Sequence, residues 1–277
     1  MTGSCYRAVV AIETSSRERI GSTPTPMPIS ASWLGRVEYR EALALQKRLA
    51  AERAEERIGD QLLLLEHPAV LTLGRTSDPA HIRADPAVLA ARGIEVVRVE
   101  RGGEVTYHGP GQLVGYPILD LPRLGSDILR HIRGLEQSLI ACLAGLGMAS
   151  EPGGRGMTGV WSRGAAAESR PLEKVAAIGV KLNQRVTNHG FALNLTSDLS
   201  IFNEGIVPCG LAGKRATSLL ALGGPELATA DAARAYTPHF GGAFDVDVEW
   251  GEASELWALP PAPAPEPRNL LALVPRA

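Results

Sequence analysis

The chain has 277 residues, 45% of them hydrophobic and 21% charged, with a formal net charge of −2. That composition is ordinary for a globular protein, and the near balance of charge gives no bulk electrostatic basis for binding nucleic acid or an anionic membrane. No apolar run reaches the roughly 18–20 residues of a spanning helix, and three scattered cysteines (Cys5, Cys142 and Cys209) exclude a disulfide framework or a paired-cysteine zinc site and fit a reducing compartment.

Residues 1–27 are Ser/Thr/Pro-rich and poorly patterned, without the apolar core of a secretory signal. Glu13 and Glu18 argue against an organelle transit peptide, and Met27, just before the first patterned segment, is a candidate start. Ala31–Val37 reads as a short strand, and Tyr39 to about Arg57, rich in Ala, Leu, Glu and Arg, reads as a helix. Gln61–Glu66 carries four consecutive leucines, as a central strand buried on both faces does. His67-Pro68 breaks it, Val70–Leu73 is a second strand, Asp85–Arg92 a short helix ended by Gly93, and Ile94–Val99 a further strand. Gln112–Leu121 extends again, with Pro117 predicting an edge or bulged strand. Ser126–Gly147 is the clearest helix: Ser126 is its expected N-cap, Asp127 favours the positive dipole end, and Ile128, Ile132, Leu135, Leu139, Cys142 and Leu146 form one apolar stripe. Residues 151–172 read as a loop around a short strand near Val160-Trp161. Lys174–Leu182 and Val186–Leu195 form a predicted hairpin, Ala228–Ala235 a weak helix, and Pro260–Pro267 a disordered Pro/Ala tract. Strands mixed with helices, many of the strands adjacent, predict an α+β (mixed α/β) domain over residues 28–250, with an unpatterned extension at 1–27 and a Pro-rich tail at 251–277.

The stretch from Arg101 to Gln112 combines an Arg, paired glycines and a polar alternation ending in His108. Glycines let a ligand approach the backbone, Arg supplies a fixed fork of donors, and Thr106 and His108 share one face of a strand. It reads as one wall of a ligand site. Cys142 lies on a helix stripe and reads as an inert core thiol. Cys209, between Pro208 and Gly210 and outside any apolar period, reads either as a nucleophile or as a small hydrophobe under a loop. A nucleophilic thiol needs a base or cation beside it; the candidates are His108, His189, Lys174, Lys181, Lys214 and Arg215. On strand parity Lys174 shares a face with Ala176, Ile178, Val180 and Leu182, whereas Lys181 points the other way. A lysine on the apolar face suits proton transfer, while a lysine at a strand end can equally snorkel to water. His108 and His189 read as core histidines or as bases. Metal-ligating histidine pairs, a phosphate loop, a dinucleotide fingerprint and a nucleophile elbow are all missing from the sequence.

The segment from Arg101 through Gly102, Gly103, Glu104, Val105, Thr106, Tyr107 and His108 to Pro117 resembles the signature of the lipoyl (octanoyl) transferase family. His67–Arg75, Lys174–Gly179, His189–Asn194 and Pro208-Cys209-Gly210 resemble further family segments in the same order, so that the resemblance covers roughly residues 30–245. It implies a mixed β-sheet flanked by helices with the biotin/lipoate protein ligase-like catalytic fold. It also implies transfer of an octanoyl group from octanoyl-acyl carrier protein to a lysine of a lipoyl domain through a Cys209 thioester, with Lys174 managing the protons. Arg101–His108, Ala177, Ile178, Gly179, Gly190, Phe191 and Ala192 would line the acyl site.

The partners implied are acyl carrier protein, the lipoyl domains of 2-oxoacid dehydrogenase complexes and the glycine cleavage H protein. The implied location is cytoplasmic, and no metal or cofactor is implied beyond the carrier's phosphopantetheine. An ATP-dependent lipoate or biotin ligase of the related fold is the alternative; it would need an adenylate site and would not need Cys209. A catalytically dead binding protein for lipoyl domains or carrier protein is a third class. The long Ala/Arg-rich stretch 162–172 and the Lys214-Arg215 pair depart from the family pattern.

Overall fold

The computed structural model describes residues 27–154, 156–164, 171–206 and 214–259. In chain order it runs β1 (Ile29–Arg36), α1 (Tyr39–Ala54), β2 (Gln61–Glu66), β3 (Val70–Leu73), α2 (Pro86–Ala91), β4 (Glu95–Arg98), β5 (Val105–His108), β6 (Gln112–Ile118), α3 (Ile128–Gly145), β7 (Glu151–Pro152), β8 (Val160–Ser162), β9 (Glu173–Asn183), β10 (Val186–Asn194), α4 (Ser200–Gly205), α5 (Thr229–Phe244), β11 (Val248–Trp250) and α6 (Ala253–Ala258). An eight-stranded sheet has the order β11-β1-β2-β6-β10-β9-β8-β7, and a three-stranded sheet the order β4-β3-β5. β1 runs parallel to β2 and β11, and β3 parallel to β4; the other pairs are antiparallel.

The leucine run explains the layering. Strand side chains alternate between faces, so Leu62 and Leu64 enter one core with α3 and α5, whereas Leu63 and Leu65 enter another with Leu45 and Leu49 of α1. β2 is therefore buried on both faces, and the sheet is a mixed sheet flanked by helices. Beneath α1 the buried Arg53 guanidinium donates to Asp60 at 2.5 Å. Asp120 in turn pairs with Arg185 at 2.6 Å, tying the end of β6 to the turn between β9 and β10.

Four expectations change. β6 is central, between β2 and β10, although it carries Pro117. The β6–β10 ladder stops at Gly115↔Phe191 and its register resumes at the Asp120↔Val186 bridge. In the gap the Thr187 hydroxyl donates to the Pro117 carbonyl and accepts from Leu119 N–H, so these two backbone groups are paired where the proline interrupts the ladder. The N-cap of α3 is Asp127 and not Ser126: its carboxylate accepts from Leu129 and Arg130 N–H, each at 2.9 Å. α5 runs on through Pro238 to Phe244, sixteen residues in all, because Tyr236 before the proline and Phe240 after it both bury completely in the core. The folded chain continues past residue 250 into α6, whose Leu256 packs with the α1 side of the sheet. Among the described residues no helix is long and apolar enough to cross a membrane.

Candidate active site

A cavity of about 390 Å³ lies between the β9–β10 hairpin, the segment 101–106 and the start of α1. Glycines set the first wall. A Cβ at Gly74 would overlap the Gly103 carbonyl oxygen, and one at Gly179 would stand 2.9 Å from the Gly102 carbonyl. Gly103 itself has φ +84°, a conformation that favours glycine. Gly102 N–H then donates to the Val180 carbonyl at 3.0 Å, seating the loop on β9. Arg101 locks this arrangement from below. Its Nη2 donates to the Thr72 carbonyl (2.7 Å) and hydroxyl (2.8 Å) and its Nη1 to the Gly102 carbonyl (3.1 Å). The guanidinium thus shapes the wall by holding backbone, within a residue that is only 7% exposed.

The inner end is a cluster of rings. His67 Nδ1 lies 2.7 Å from the Val37 carbonyl, which can only accept, so Nδ1 carries the proton and Tyr116 O–H donates to Nε2 at 2.8 Å. His108 Nδ1 faces Gln112 Oε1 at 2.8 Å, while the Gln112 amide donates to Asn194 and to the Tyr107 carbonyl. By the same reasoning Nδ1 donates, which leaves Nε2 as the acceptor nitrogen. The His108 ring stacks on Tyr39 at 5.8 Å and meets His67 edge-on at 5.7 Å. Burial pushes His67 down to about 4 and, with Arg101 adding to it, His189 down to about 4. Burial together with His67 and Arg101 holds His108 well below the usual histidine range. Burial also raises the Tyr39 phenol to about 12. Near neutral pH the cluster is therefore uncharged apart from Arg101. His189 sits in β10 at φ +57°, a strained position for a non-glycine residue, and its buried Nδ1 has no partner among the described residues.

Lys174 lies on another part of the wall. It is 8% exposed, its Nζ donates to the Thr158 carbonyl at 3.0 Å, and it stands over the Trp161 ring, 5.0 Å from the centroid. A β-bulge opposite Val160–Trp161 interrupts strand parity here. Val175 and Ala176 both enter the core, so alternation from Ala176 does not fix the direction of Lys174. The strand end is nevertheless desolvated, because Lys174 N–H donates to Arg215 C=O and Thr217 N–H to Lys174 C=O, both at 2.9 Å. Lys181 is turned away and pairs with Glu100. Cys142 is a buried α3 thiol that burial raises to about 11, as fits an inert core group. Cys209 lies outside the described residues. Among the described residues no group of three or more His, Cys, Asp or Glu side chains could hold a metal ion.

Residues 38–241 match the lipoyl protein ligase A/B catalytic domain family. An octanoyltransferase of Chloroflexus aggregans is 55% identical over 187 residues, covering 67% of this chain and 81% of that protein. One of Acidobacterium capsulatum is 43% identical over 239 residues, covering 82% and 94%. The chain belongs to the octanoyltransferase family. Its fold is that of the lipoate protein ligases: the bipartite ligase of Thermoplasma acidophilum superposes with a TM-score of 0.64 at 16% identity, over 83% of this chain and 89% of that one.

The structure gathers Arg101–Thr106, His108, Lys174, Ala177–Gly179 and Gly190–Ala192 of this octanoyltransferase-family chain around one cavity. Tyr107 is the exception. Strand alternation turns it into the cluster of Leu71, Leu73 and Phe202, with its ring over Gly109, so it supports the wall from behind. Sequence reasoning did not find Tyr39, Tyr116, Thr158 or Trp161 as site residues. Tyr116 stood inside the signature segment, and Trp161 in a predicted short strand within a loop. Tyr39 and Thr158 carried no local signal, because each reaches the cavity only through the tertiary fold.

Proposed function

We propose that this chain transfers an octanoyl group from octanoyl-acyl carrier protein to a lysine of a lipoyl domain through a thioester on Cys209. The observation that carries the reading is the seating of Lys174: buried in a cavity wall, with the Arg215–Thr217 backbone that follows Cys209 in sequence paired directly to it. In the first half-reaction the Cys209 thiolate attacks the carrier thioester carbonyl. A new C–S bond forms, the pantetheine C–S bond breaks, and Lys174 gives the departing thiolate the proton it took from Cys209. In the second, the lipoyl-domain amine attacks the acyl-enzyme, the C–N bond forms, and the C–S bond to Cys209 breaks. The proton lost by the amine passes to Lys174 and returns to the thiol.

The acyl group arrives on the carrier's phosphopantetheine, and the reaction needs no further cofactor. Burying about seven methylene or methyl groups at about 0.8 kcal/mol each contributes roughly 5–6 kcal/mol before entropy costs, enough for chain length to matter. That relatives covering most of this chain are octanoyltransferases supports the reading.

Intact-mass spectrometry after incubation with octanoyl-acyl carrier protein tests it. Wild type gains one octanoyl group and Cys209→Ala gains none; an adduct that survives the substitution removes Cys209 from the mechanism. Lys174→Ala stays folded and loses about 100-fold or more in turnover, the range of a general acid–base group. Octanoylation of a lipoyl domain from free octanoate and ATP, but not from the carrier thioester, would establish the ligase instead.

A further inference from the structure

Trp161 is 2% exposed and belongs to no binding segment of the signature. A hydrogen bond and a close glycine hold its indole edge. Nε1 donates to the Met157 carbonyl at 2.9 Å, and Gly153 comes so close that a Cβ there would stand 2.6 Å from Nε1. On the sheet, Trp161 is the register partner of Lys174, at the bulge of β9. Two ammonium groups stand over its ring, Lys174 Nζ at 5.0 Å and Lys214 Nζ at 6.0 Å from the centroid. Ammonium groups repel one another, and the negative π face of the ring offsets that repulsion for the buried Lys174 and, at the outer limit of such a contact, for the exposed Lys214. The Thr158 carbonyl also accepts a hydrogen bond from Lys174. A lysine is a flexible stem that loses rotamer freedom when it is held in one place, and a buried indole face with a fixed carbonyl is a way to confine it.

We infer that Trp161 is a positioning residue of the acyl-transfer reaction, whose π face holds the Lys174 ammonium at the cavity wall and holds Lys214 as a second cation on the same platform. The inference rests on the Cys209/Lys174 reading for its effect on rate, but the platform itself is a property of the folded chain.

The test separates the electrostatics of the ring from its packing. Tryptophans carrying one, two or more fluorines keep the shape of the indole while draining charge from its face, and they can be installed at position 161 of the full-length chain. The rate of Cys209 octanoylation by octanoyl-acyl carrier protein is expected to fall stepwise with fluorine number. KM for the carrier and the melting temperature should stay at the wild-type values. Trp161→Leu is expected to lose about 10- to 30-fold in kcat, the scale of a desolvated cation–π contact, and Trp161→Phe to recover most of that loss. A rate that stays flat across the fluorine series overturns the inference, as does equal loss in the Leu and Phe variants with a lowered melting temperature.

NMR of ε-labelled lysine gives the readout that does not depend on turnover. In wild type the Lys174 and Lys214 ε-protons are expected to be shifted upfield by the ring current, and to return to ordinary values in Trp161→Phe only in part. Ordinary shifts in wild type overturn the platform. Ring-current shifts without any Cys209 adduct in wild type would leave the platform standing and remove the acyl-transfer reading.

Discussion

Desolvation acts on single side chains in opposite ways in this molecule. Lys174 is buried but supplied with a carbonyl and an aromatic face. His131, on α3, is fully buried against Phe244, and neither ring nitrogen has a partner among the described residues. An unmade hydrogen bond in an apolar core costs about 1–3 kcal/mol, and replacing the polar group by an apolar one of similar size recovers it. His131→Leu is therefore expected to stabilise the fold by about 1–3 kcal/mol, seen as a higher denaturant midpoint with an unchanged slope; a lower midpoint would mean that the imidazole makes a contact worth more than its desolvation. Composition and periodicity identified Cys142 as a core thiol, and the burial that raises it agrees. They did not mark His131 in the same way, because a polar residue on a helix stripe gives no sign of whether a partner awaits it. Lys174 was ambiguous for a related reason. Parity stops at the bulge opposite Trp161, a feature that depends on the neighbouring strand.

Strands and helices were legible where the signal was local. β2 and β3 have the bounds that their apolar runs and flanking breakers gave, and the β9–β10 hairpin follows from alternation around a turn. What failed was place in the sheet. Pro117 reads as an edge residue, yet β6 is central because β10 leaves its ladder where the ring passes. Gly190 makes that crossing possible: a Cβ there would overlap the Gly115 carbonyl oxygen and stand 2.7 Å from Pro117 Cδ. Backbone and a proline ring cannot give way as a flexible side chain can, so Gly190→Ala is expected to destabilise by about 1–3 kcal/mol, the cost of overpacking a core, and to narrow the cavity that Gly190 lines. Gly242 is the control. It lies exposed in α5 with open space around a built Cβ, and Gly242→Ala is expected to stabilise by about 0.8–1 kcal/mol through helix propensity alone. Paired chemical denaturation of the two variants checks both signs; equal effects would show that the β6–β10 crossing is soft.

At the scale of the whole molecule, buried neutral histidines couple folding to pH. Burial holds His67, His131 and His189 at about 4 in the folded chain, against the ordinary histidine value of 6.5. Below 6.5 the unfolded chain takes up protons that the folded chain refuses until about 4, so the unfolded state binds more protons throughout that window. Stability consequently rises with pH between about 4 and 6.5 and is lost as pH falls through it. At 1.36 kcal/mol per unit, each of these groups contributes roughly 3 kcal/mol to the loss, and His108 acts in the same direction. Carboxylates held low by their partners, Asp127 by the backbone N–H groups of α3 and Glu56 by Arg185, add their loss only at more acid pH, once those groups protonate. A domain is stable by about 5–15 kcal/mol in total, so the histidines remove a large share of that stability before the carboxylates titrate. Urea midpoints measured from pH 7.5 down to 4.5 are expected to drop steeply below pH 6.5, and the drop should be shallower in His131→Leu by one histidine's share. A midpoint that stays level down to pH 5 would show that the interior admits water to these rings. The ring cluster at the inner end of the cavity would then be a hydrated site and not the dry one on which the packing around His67, His108 and Tyr39 depends.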